Sequence, residues 1–120
     1  MEGSYKDLKI YNRSYAAAKA IYKSIVPKFP SEEKYGLTSQ IKRASISIPL
    51  NIAEGYAKGD SEKEMLRFMY MARGSVNEVL VLLDFARDFD FIEEIEYQKA
   101  SEEYVNIGKM LTKFIQNYQG

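Results

Sequence analysis

The segment from Met65 to Phe89 constrains the fold more than any other part of the sequence. Its apolar residues recur at helical spacing, and so densely that few positions are left for a side that faces water. A helix with this pattern must be covered on several sides by other elements. We therefore predict a central helix over residues 61–89. The spacing Ser61-x-x-Glu64 at its start is typical of a capping box.

Three further helices are predicted from the same periodicity. The first covers residues 4–26 and ends before Pro27, because proline lacks an amide donor and disfavours helical geometry in the preceding residue. The second covers residues 38–58 with Thr38 as its N-cap, and the fourth covers residues 93–118 with Asp90 and Glu93 in its cap. Short links make successive helices antiparallel. The sequence thus predicts an all-α fold, a single domain over residues 1–120 that forms an antiparallel up-down-up-down four-helix bundle.

Composition excludes most catalytic chemistries. The 120 residues include no Cys and no His. Without cysteine there is no thiol nucleophile and no thiolate metal site, and without histidine the commonest general base and the commonest transition-metal ligand are missing. A di-iron site in a helical bundle needs Glu-x-x-His pairs. We therefore predict that the chain is not an enzyme and that it has no catalytic residues, no metal and no cofactor.

Two further features bear on location. No apolar run approaches the roughly 20 residues of a membrane-spanning helix, and the first residues lack the basic-then-apolar pattern of a secretion signal. The absence of cysteine is ordinary for a protein of the reducing cytosol. We expect a cytoplasmic protein that has no membrane partner.

Charge is balanced over the chain but not along it. With 17 basic and 17 acidic residues, attraction of the whole surface to nucleic acid or acidic membranes is not expected. Residues 4–26 nevertheless contain Asp7 as their only acid. The cations of this segment are Lys6, Lys9, Arg13, Lys19 and Lys23.

Three interpretations of these cations stay open. They are simply solvated, they form a track for an RNA backbone, or they meet the acidic part of the fourth helix in a neighbouring subunit. The acids concerned are Glu93, Glu94, Glu96, Glu102 and Glu103. The third interpretation joins two different surfaces, and contacts of that kind close into rings.

The second helix carries one polar stripe on an otherwise apolar surface. Its members recur every three or four residues and are Gln40, Arg43, Ser47, Asn51 and Glu54. We interpret the stripe as a structural network that sets helix register or a subunit interface, because buried polar groups need partners. A ligand or catalytic site is the alternative. Whether the stripe faces the bundle core, a subunit seam or a central pore stays open.

Ion pairs between helices are expected beside this stripe. Counting outward from the turn at Gly59 places Arg43 about one helical turn from Glu78, and Glu54 close to Arg67. Each pair would join the second helix to the third. We therefore add Glu78 to the predicted polar network.

Proline and glycine inside the helices lead to two more expectations. Pro49 lies in the middle of the second helix, where a missing hydrogen bond predicts a bend. Gly55 and Gly74 lie in helix interiors, where glycine costs about 1 kcal/mol relative to alanine. We expect a close approach between helices at both glycines.

The chain closely resembles the bacterial four helix bundle protein family, which is also called the 23S rRNA intervening-sequence protein family. The resemblance is carried by Leu37-Thr38-Ser39-Gln40-Ile41-Lys42-Arg43-Ala44 and Ser47-Ile48-Pro49-x-Asn51-Ile52-Ala53-Glu54-Gly55, and further by Lys6-Asp7-Leu8, Phe29-Pro30 and Ala72-Arg73-Gly74-Ser75-Val76-x-Glu78. It therefore extends over nearly the whole chain.

The resemblance implies a four-helix bundle that assembles as a ring, commonly a homopentamer, similar to the accessory proteins of diversity-generating retroelements. Those proteins bind RNA and a reverse transcriptase, but they are strongly basic, whereas this chain is neutral. The function implied is that of a non-catalytic oligomeric binding or scaffold protein with RNA or a ribonucleoprotein as its partner. The alternative is a scaffold for protein–protein interaction that binds no nucleic acid.

Overall fold

The computed structural model describes residues 3–119, and within this range the chain forms four long helices and no strand. The helices are α1 (Lys9–Ala20), α2 (Leu37–Ala57), α3 (Glu62–Asp88) and α4 (Glu94–Gln119). The prediction of an all-α fold with four helices is thereby confirmed. Both ends of α2, α3 and α4 lie within one residue of the predicted bounds, so apolar periodicity located the three longest helices well.

The first helix departs most from its predicted range. Leu8 is extended and separates α1 from a preceding 3-10 turn at Tyr5–Asp7. After α1 the chain widens into a π-helical segment, Ile21–Ile25, and then narrows into the 3-10 turn Val26–Lys28. Pro27 accounts for this change, because it has no amide and its ring clashes with the carbonyl four residues earlier. The predicted continuous helix over residues 4–26 is therefore corrected.

Side chains cap the starts of α2 and α3, and one of the predicted capping contacts is present. The carboxylate of Glu33 accepts a hydrogen bond from the first amide of α2 at 3.0 Å, so Thr38 is not the N-cap. At α3 the Ser61 hydroxyl accepts from the Glu64 amide at 3.3 Å, as predicted. The Glu64 carboxylate does not complete the capping box, because it bonds to Arg67 at 2.8 Å instead.

Asp90 closes α3 rather than opening α4. Its φ of 62° places it in the left-handed region, and its amide and that of Phe91 donate to carbonyls in the last turn of α3, each at 2.9 Å. This is the bonding pattern of a Schellman motif. The start of α4 is capped at Glu93, whose amide donates to the Glu96 carboxylate at 2.9 Å.

The four helices surround one apolar core. α1 packs against α2 and α4, and α3 packs against the same two helices. Fully buried side chains of the core include Ile21, Ile48, Met69, Leu83, Ile107 and Leu111. α3 is thus covered by two neighbours and keeps one open side, which is less coverage than its apolar density predicts. No helix within residues 3–119 is long and apolar enough to cross a membrane.

The α2/α3 register differs from the predicted one by about a helical turn. Counting from the connecting turn places residue 71 opposite Ser47, but Ser47 lies against Ser75. Further along, Gly55 lies against Met65 and Phe68. The difference arises because the first turn of α3 projects past the end of α2, beside the connection at residues 58–61.

Candidate interaction surfaces

The basic face of the first helical segment is exposed to solvent, as its sequence pattern suggests. It comprises Lys6, Lys9, Arg13, Lys19 and Lys23, all of them exposed. The Lys19 ammonium lies 5.8 Å from the centroid of the Tyr15 ring. Within the described part of the chain, none of the four lysines has a carboxylate partner. These four lysines are therefore open to an external anion.

Arg13 differs from these lysines because it is engaged within the chain. Two nitrogens of its guanidinium donate to the Glu103 carboxylate of α4, and this contact raises the pKa of Arg13 above its usual range. Lys28 pairs with Glu96 along the same seam, which lowers the pKa of Glu96. Two of the acids expected to face a neighbouring subunit thus pair within their own chain, since α1 and α4 are adjacent. For the other acids in residues 93–103 that contact stays a prediction.

The α1/α4 seam opens into a groove of about 570 Å³ beside these ion pairs. The side chains that α1 and its π-helical extension contribute are mostly small: Ala16, Ala17, Ala20 and Ser24. From α4 the groove is lined by Tyr104, which is almost fully buried and whose hydroxyl has no hydrogen-bond partner within residues 3–119. Burial raises the pKa of Tyr104, so its phenol stays neutral. This seam is closed incompletely by the chain itself.

The centre of the predicted polar stripe forms a hydrogen-bonded cluster between α2 and α3. The Ser47 and Ser75 hydroxyls lie 2.9 Å apart. The Asn51 amide donates to the Ser47 carbonyl at 2.8 Å and to its hydroxyl at 2.9 Å. Ser47 and Asn51 therefore act together, as the spacing predicts, although the partner on α3 is Ser75.

The ends of the stripe do not form the predicted ion pairs. Gln40, Arg43, Glu54 and Glu78 are exposed, and no ion pair joins Arg43 to Glu78, or Glu54 to Arg67, within residues 3–119. Arg67 pairs with Glu64 one turn earlier on its own helix. An exposed pair gains little free energy and must order two long side chains, so a local partner is preferred to one on another helix.

The two glycines in the helix interiors have different surroundings. A Cβ atom on Gly55 would lie 3.1 Å from the Met65 carbonyl oxygen and 3.0 Å from the Phe68 Cβ atom. The predicted close approach is confirmed there. A Cβ atom on Gly74 would meet no atom of the described chain within 4 Å. The close approach expected at Gly74 therefore does not occur within this chain.

The open side of α3 is apolar over much of its length. We call it the outer face of α3 and define it by Tyr70, Met71, Gly74, Val81 and Phe85. Met71, Val81 and Phe85 are 46%, 51% and 47% exposed, and the Phe85 ring packs against Phe89 with 5.8 Å between centroids. Single exposed apolar residues are ordinary, but a row along one helix is typical of a surface that a partner covers.

A second groove, which the sequence does not predict, lies between α3 and α4. This α3/α4 groove has a volume of about 610 Å³, and its polar lining residues include Arg73, Asn77, Lys109, Thr112 and Lys113. Arg73 donates to the Thr112 hydroxyl at 3.3 Å, and its guanidinium lies 5.0 Å from the centroid of the Tyr70 ring. No carboxylate lines the groove. Its charged lining residues are therefore all basic, whereas the α1/α4 groove is lined by both acidic and basic residues.

The sequence predicts no basic site on the fourth helix, because the net charge of that helix as a whole is negative. Residues 93–103 contain five acids, whereas residues 104–119 contain Lys109 and Lys113 and no acid. The charge of each half of the helix, taken separately, indicates the two lysines. The approach of Arg73 from α3 depends on the packing of the two helices, which the sequence does not reveal.

Within the described residues no three Asp or Glu side chains converge in a way that could hold a metal ion. The arrangement of the surfaces described above offers exposed cations, an apolar row and two grooves.

Comparison with known proteins places these surfaces in context. The sequence model of a family described as 23S rRNA-intervening sequence protein matches residues 6–113. The fold is similar to a crystal structure described as a protein with unknown function from the S23 ribosomal protein family of Bacteroides thetaiotaomicron VPI-5482. That match has a TM-score of 0.77 and 23% sequence identity, and it covers 88% of this chain and 97% of that chain. At this identity it shows the fold alone. No curated protein matches the chain.

Proposed function

The chain belongs to the 23S rRNA-intervening sequence protein family, and we propose on this basis that it is a non-catalytic oligomeric binding or scaffold protein that associates with RNA or a ribonucleoprotein in the cytoplasm. One observation carries the proposal. The first helical segment presents Lys6, Lys9, Lys19 and Lys23 to solvent without a carboxylate partner in the described chain. Exposed lysines of this kind are suited to phosphate oxygens, whose neutralisation supplies most of the affinity for nucleic acid.

Assembly from several copies of the chain is the second part of the proposal, with five copies as the family resemblance implies. The outer face of α3 supports it, because Met71, Val81 and Phe85 remain about half exposed in the single chain. Covering such a row with another subunit removes apolar area from water, at roughly 25 cal/mol for each Å² buried. Leu50 of α2 is a further large apolar side chain left exposed, at 60%.

The test of RNA association is a salt titration. Affinity is measured for fragments of large-subunit rRNA, an unrelated structured RNA and duplex DNA, with the wild type and with a variant that changes Lys6, Lys9, Lys19 and Lys23 to Glu. Arg13 is left unchanged because it pairs with Glu103. Four phosphate contacts predict a slope of log K against log salt of about −3 for a single strand. The variant should lose most of the binding.

The variant must first be shown to have the helical content and assembly state of the wild type. RNA-selective binding that disappears in the variant supports an RNA-associated protein and locates its surface. Absence of binding even at low salt contradicts the RNA association. In that case the alternative of a scaffold for other proteins stands, and a protein interface would depend far less on salt.

Assembly is tested independently by light scattering at micromolar concentration. The proposal expects a mass that is a multiple of the 13.8 kDa chain, and Val81→Glu together with Phe85→Glu should shift the protein toward the monomer. A monomeric wild type contradicts the proposed oligomer. A matched control is Tyr35→Glu, since Tyr35 is 88% exposed and belongs to the connection before α2 rather than to the residues that define the outer face of α3.

A further inference from the structure

Three cations line the α3/α4 groove, and no carboxylate within residues 3–119 lines it with them. Arg73 comes from α3, and Lys109 and Lys113 come from α4. Elsewhere in the described chain Arg13, Arg67 and Arg87 each pair with a carboxylate. The Arg73 side chain instead has a hydroxyl partner at 3.3 Å. The groove thus concentrates positive charge that no carboxylate of the described chain neutralises.

One of the three cations, Arg73, is held in place by two contacts of its guanidinium. Lys109 and Lys113 are one helical turn apart on α4, with a rise of about 6 Å between them. Arg73 is held from the opposite helix by the Thr112 hydroxyl and by the face of the Tyr70 ring. Like charges at this spacing repel each other, so an anion lying between the two helices relieves a repulsion that the free protein carries.

The rest of the lining narrows the chemistry of that anion. The groove has apolar walls from Val76, Leu80 and Val105, and Asn77 and Thr112 add neutral hydrogen-bonding groups. Its volume of about 610 Å³ suits a ligand the size of a nucleotide. A phosphodiester with a flat, largely apolar base satisfies both parts of this lining, whereas a bare inorganic anion uses only the charged part.

We infer that the α3/α4 groove binds a single-stranded RNA segment, with its phosphates along Arg73, Lys109 and Lys113 and a base against the apolar wall. The groove is separate from the basic face of the first helical segment. Binding of RNA there deepens the proposed function, and it rests on that function for the choice of RNA as the source of the phosphodiester. A single strand is required because the bases of a duplex are stacked and paired, so they do not reach a protein wall.

The test compares two variants that remove equal charge. The groove variant carries Arg73→Gln, Lys109→Gln and Lys113→Gln. The control carries Lys34→Gln, Lys58→Gln and Lys63→Gln, three exposed lysines outside the groove. Fluorescence anisotropy with labelled single-stranded RNA, single-stranded DNA and duplex DNA is measured over a range of salt concentrations. Circular dichroism and light scattering confirm that both variants fold and assemble as the wild type does.

The groove variant should bind single-stranded RNA at least tenfold more weakly at low salt, and the salt slope should fall in magnitude by about 2 for three lost phosphate contacts. The control should change affinity less than about threefold. If the groove variant loses affinity for single-stranded DNA to the same extent, the groove recognises the phosphodiester and the base and makes no use of the 2′-hydroxyl.

Two results overturn the inference while the proposed function stands. One is RNA binding that the variant with Lys6, Lys9, Lys19 and Lys23 changed to Glu abolishes and the groove variant leaves unchanged. The other is a loss in the groove variant that is just as large for duplex DNA, which would mean a general electrostatic effect. Failure of the wild type to bind any RNA overturns the inference and the proposed RNA association together.

Discussion

The α2/α3 seam and the α1/α4 seam close the same bundle by different means. At the α2/α3 seam Gly55 allows its backbone to pack closely against Phe68 and the Met65 carbonyl of α3. The Ser47 and Ser75 hydroxyls lie 2.9 Å apart in the same seam. At the α1/α4 seam small side chains leave a groove of about 570 Å³, and the contacts across it include exposed ion pairs. Tyr104, which lines this groove, has a buried hydroxyl with no partner in the described chain.

This difference explains where the sequence carries its strongest signature. The α2/α3 seam depends on particular residues at particular positions, because a glycine and hydrogen-bonding groups must coincide in space. The α1/α4 seam depends on small size and opposite charge, which many residues can provide. A seam of the first kind resists substitution, and a seam of the second kind should tolerate it.

The largest expected effect comes from filling the close approach in the tighter seam. Gly55→Val would place new atoms against the Met65 carbonyl and Phe68. Overpacking of this kind should cost about 3 kcal/mol of the free energy of unfolding, measured by urea denaturation. Gly74→Ala is the matched control, since nothing in the described chain lies within 4 Å of its Cβ position. It should stabilise the protein by about 1 kcal/mol.

A loss of stability in Gly74→Ala would contradict that expectation. It would mean that the second subunit proposed to cover the outer face of α3 packs closely against Gly74. A harmless Gly55→Val would contradict the description of the α2/α3 seam as the tighter one.

The next effect contrasts two tyrosines of α4. The Tyr97 hydroxyl donates to the Asp84 carboxylate at 2.6 Å, which raises the pKa of Tyr97, and Tyr97→Phe should cost about 1.5 kcal/mol. The Tyr104 hydroxyl is buried without a partner in the described chain, so Tyr104→Phe should leave stability unchanged or raise it by up to about 1 kcal/mol. Thermal unfolding of both variants measures the contrast. Equal losses would show that the Tyr104 hydroxyl does have a partner in solution.

A smaller effect measures the hydrogen bond that joins α2 to α3. Ser75→Ala should cost about 1 kcal/mol, because it leaves the Ser47 hydroxyl with Asn51 alone. A double-mutant cycle with Ser47→Ala should give a coupling energy of about 0.5 to 1 kcal/mol. The coupling energy is measured by urea denaturation of the wild type, the two single variants and the double variant. A coupling near zero would leave Gly55 and apolar packing as the basis of this seam.

The sequence predicted the helices well because burial imposes a period. The row from Ile41 to Ile52 on α2 and the dense apolar run of α3 each required a helix at that place, and the structure has both. The π-helical segment before Pro27 was not predicted, since several helical geometries suit the same side chains there. Periodicity specifies which face is buried, but it leaves the hydrogen-bonding pattern of a helix end open.

Charge positions were predicted less well because long side chains choose partners locally. Arg67 bonds to Glu64 of its own helix rather than to Glu54 across the seam. The register of α2 against α3 also differs by about one turn from the counted one, so Ser47 bonds to Ser75 instead of lying opposite residue 71. The α3/α4 groove combines both difficulties, since its charge comes from two helices and depends on how they pack.

The smallest expected effect concerns the ion pair between Lys28 and Glu96 in the looser seam. Lys28 holds the pKa of Glu96 below its ordinary value of 4.5. A carboxylate whose pKa is lower in the folded state stabilises the fold above that ordinary value, and this contribution is lost as the pH falls through the folded value. The stability difference between wild type and Lys28→Met should therefore shrink as the pH is lowered from about 6 to about 3, and also as salt is raised, because an exposed pair is screened.

Lys23→Met is the control, since Lys23 has no carboxylate partner in the described chain. The stability difference between wild type and Lys23→Met should stay constant with pH. If Lys28→Met also gives a constant difference, this ion pair contributes nothing, and small-residue packing and the Arg13–Glu103 pair hold α1 to α4.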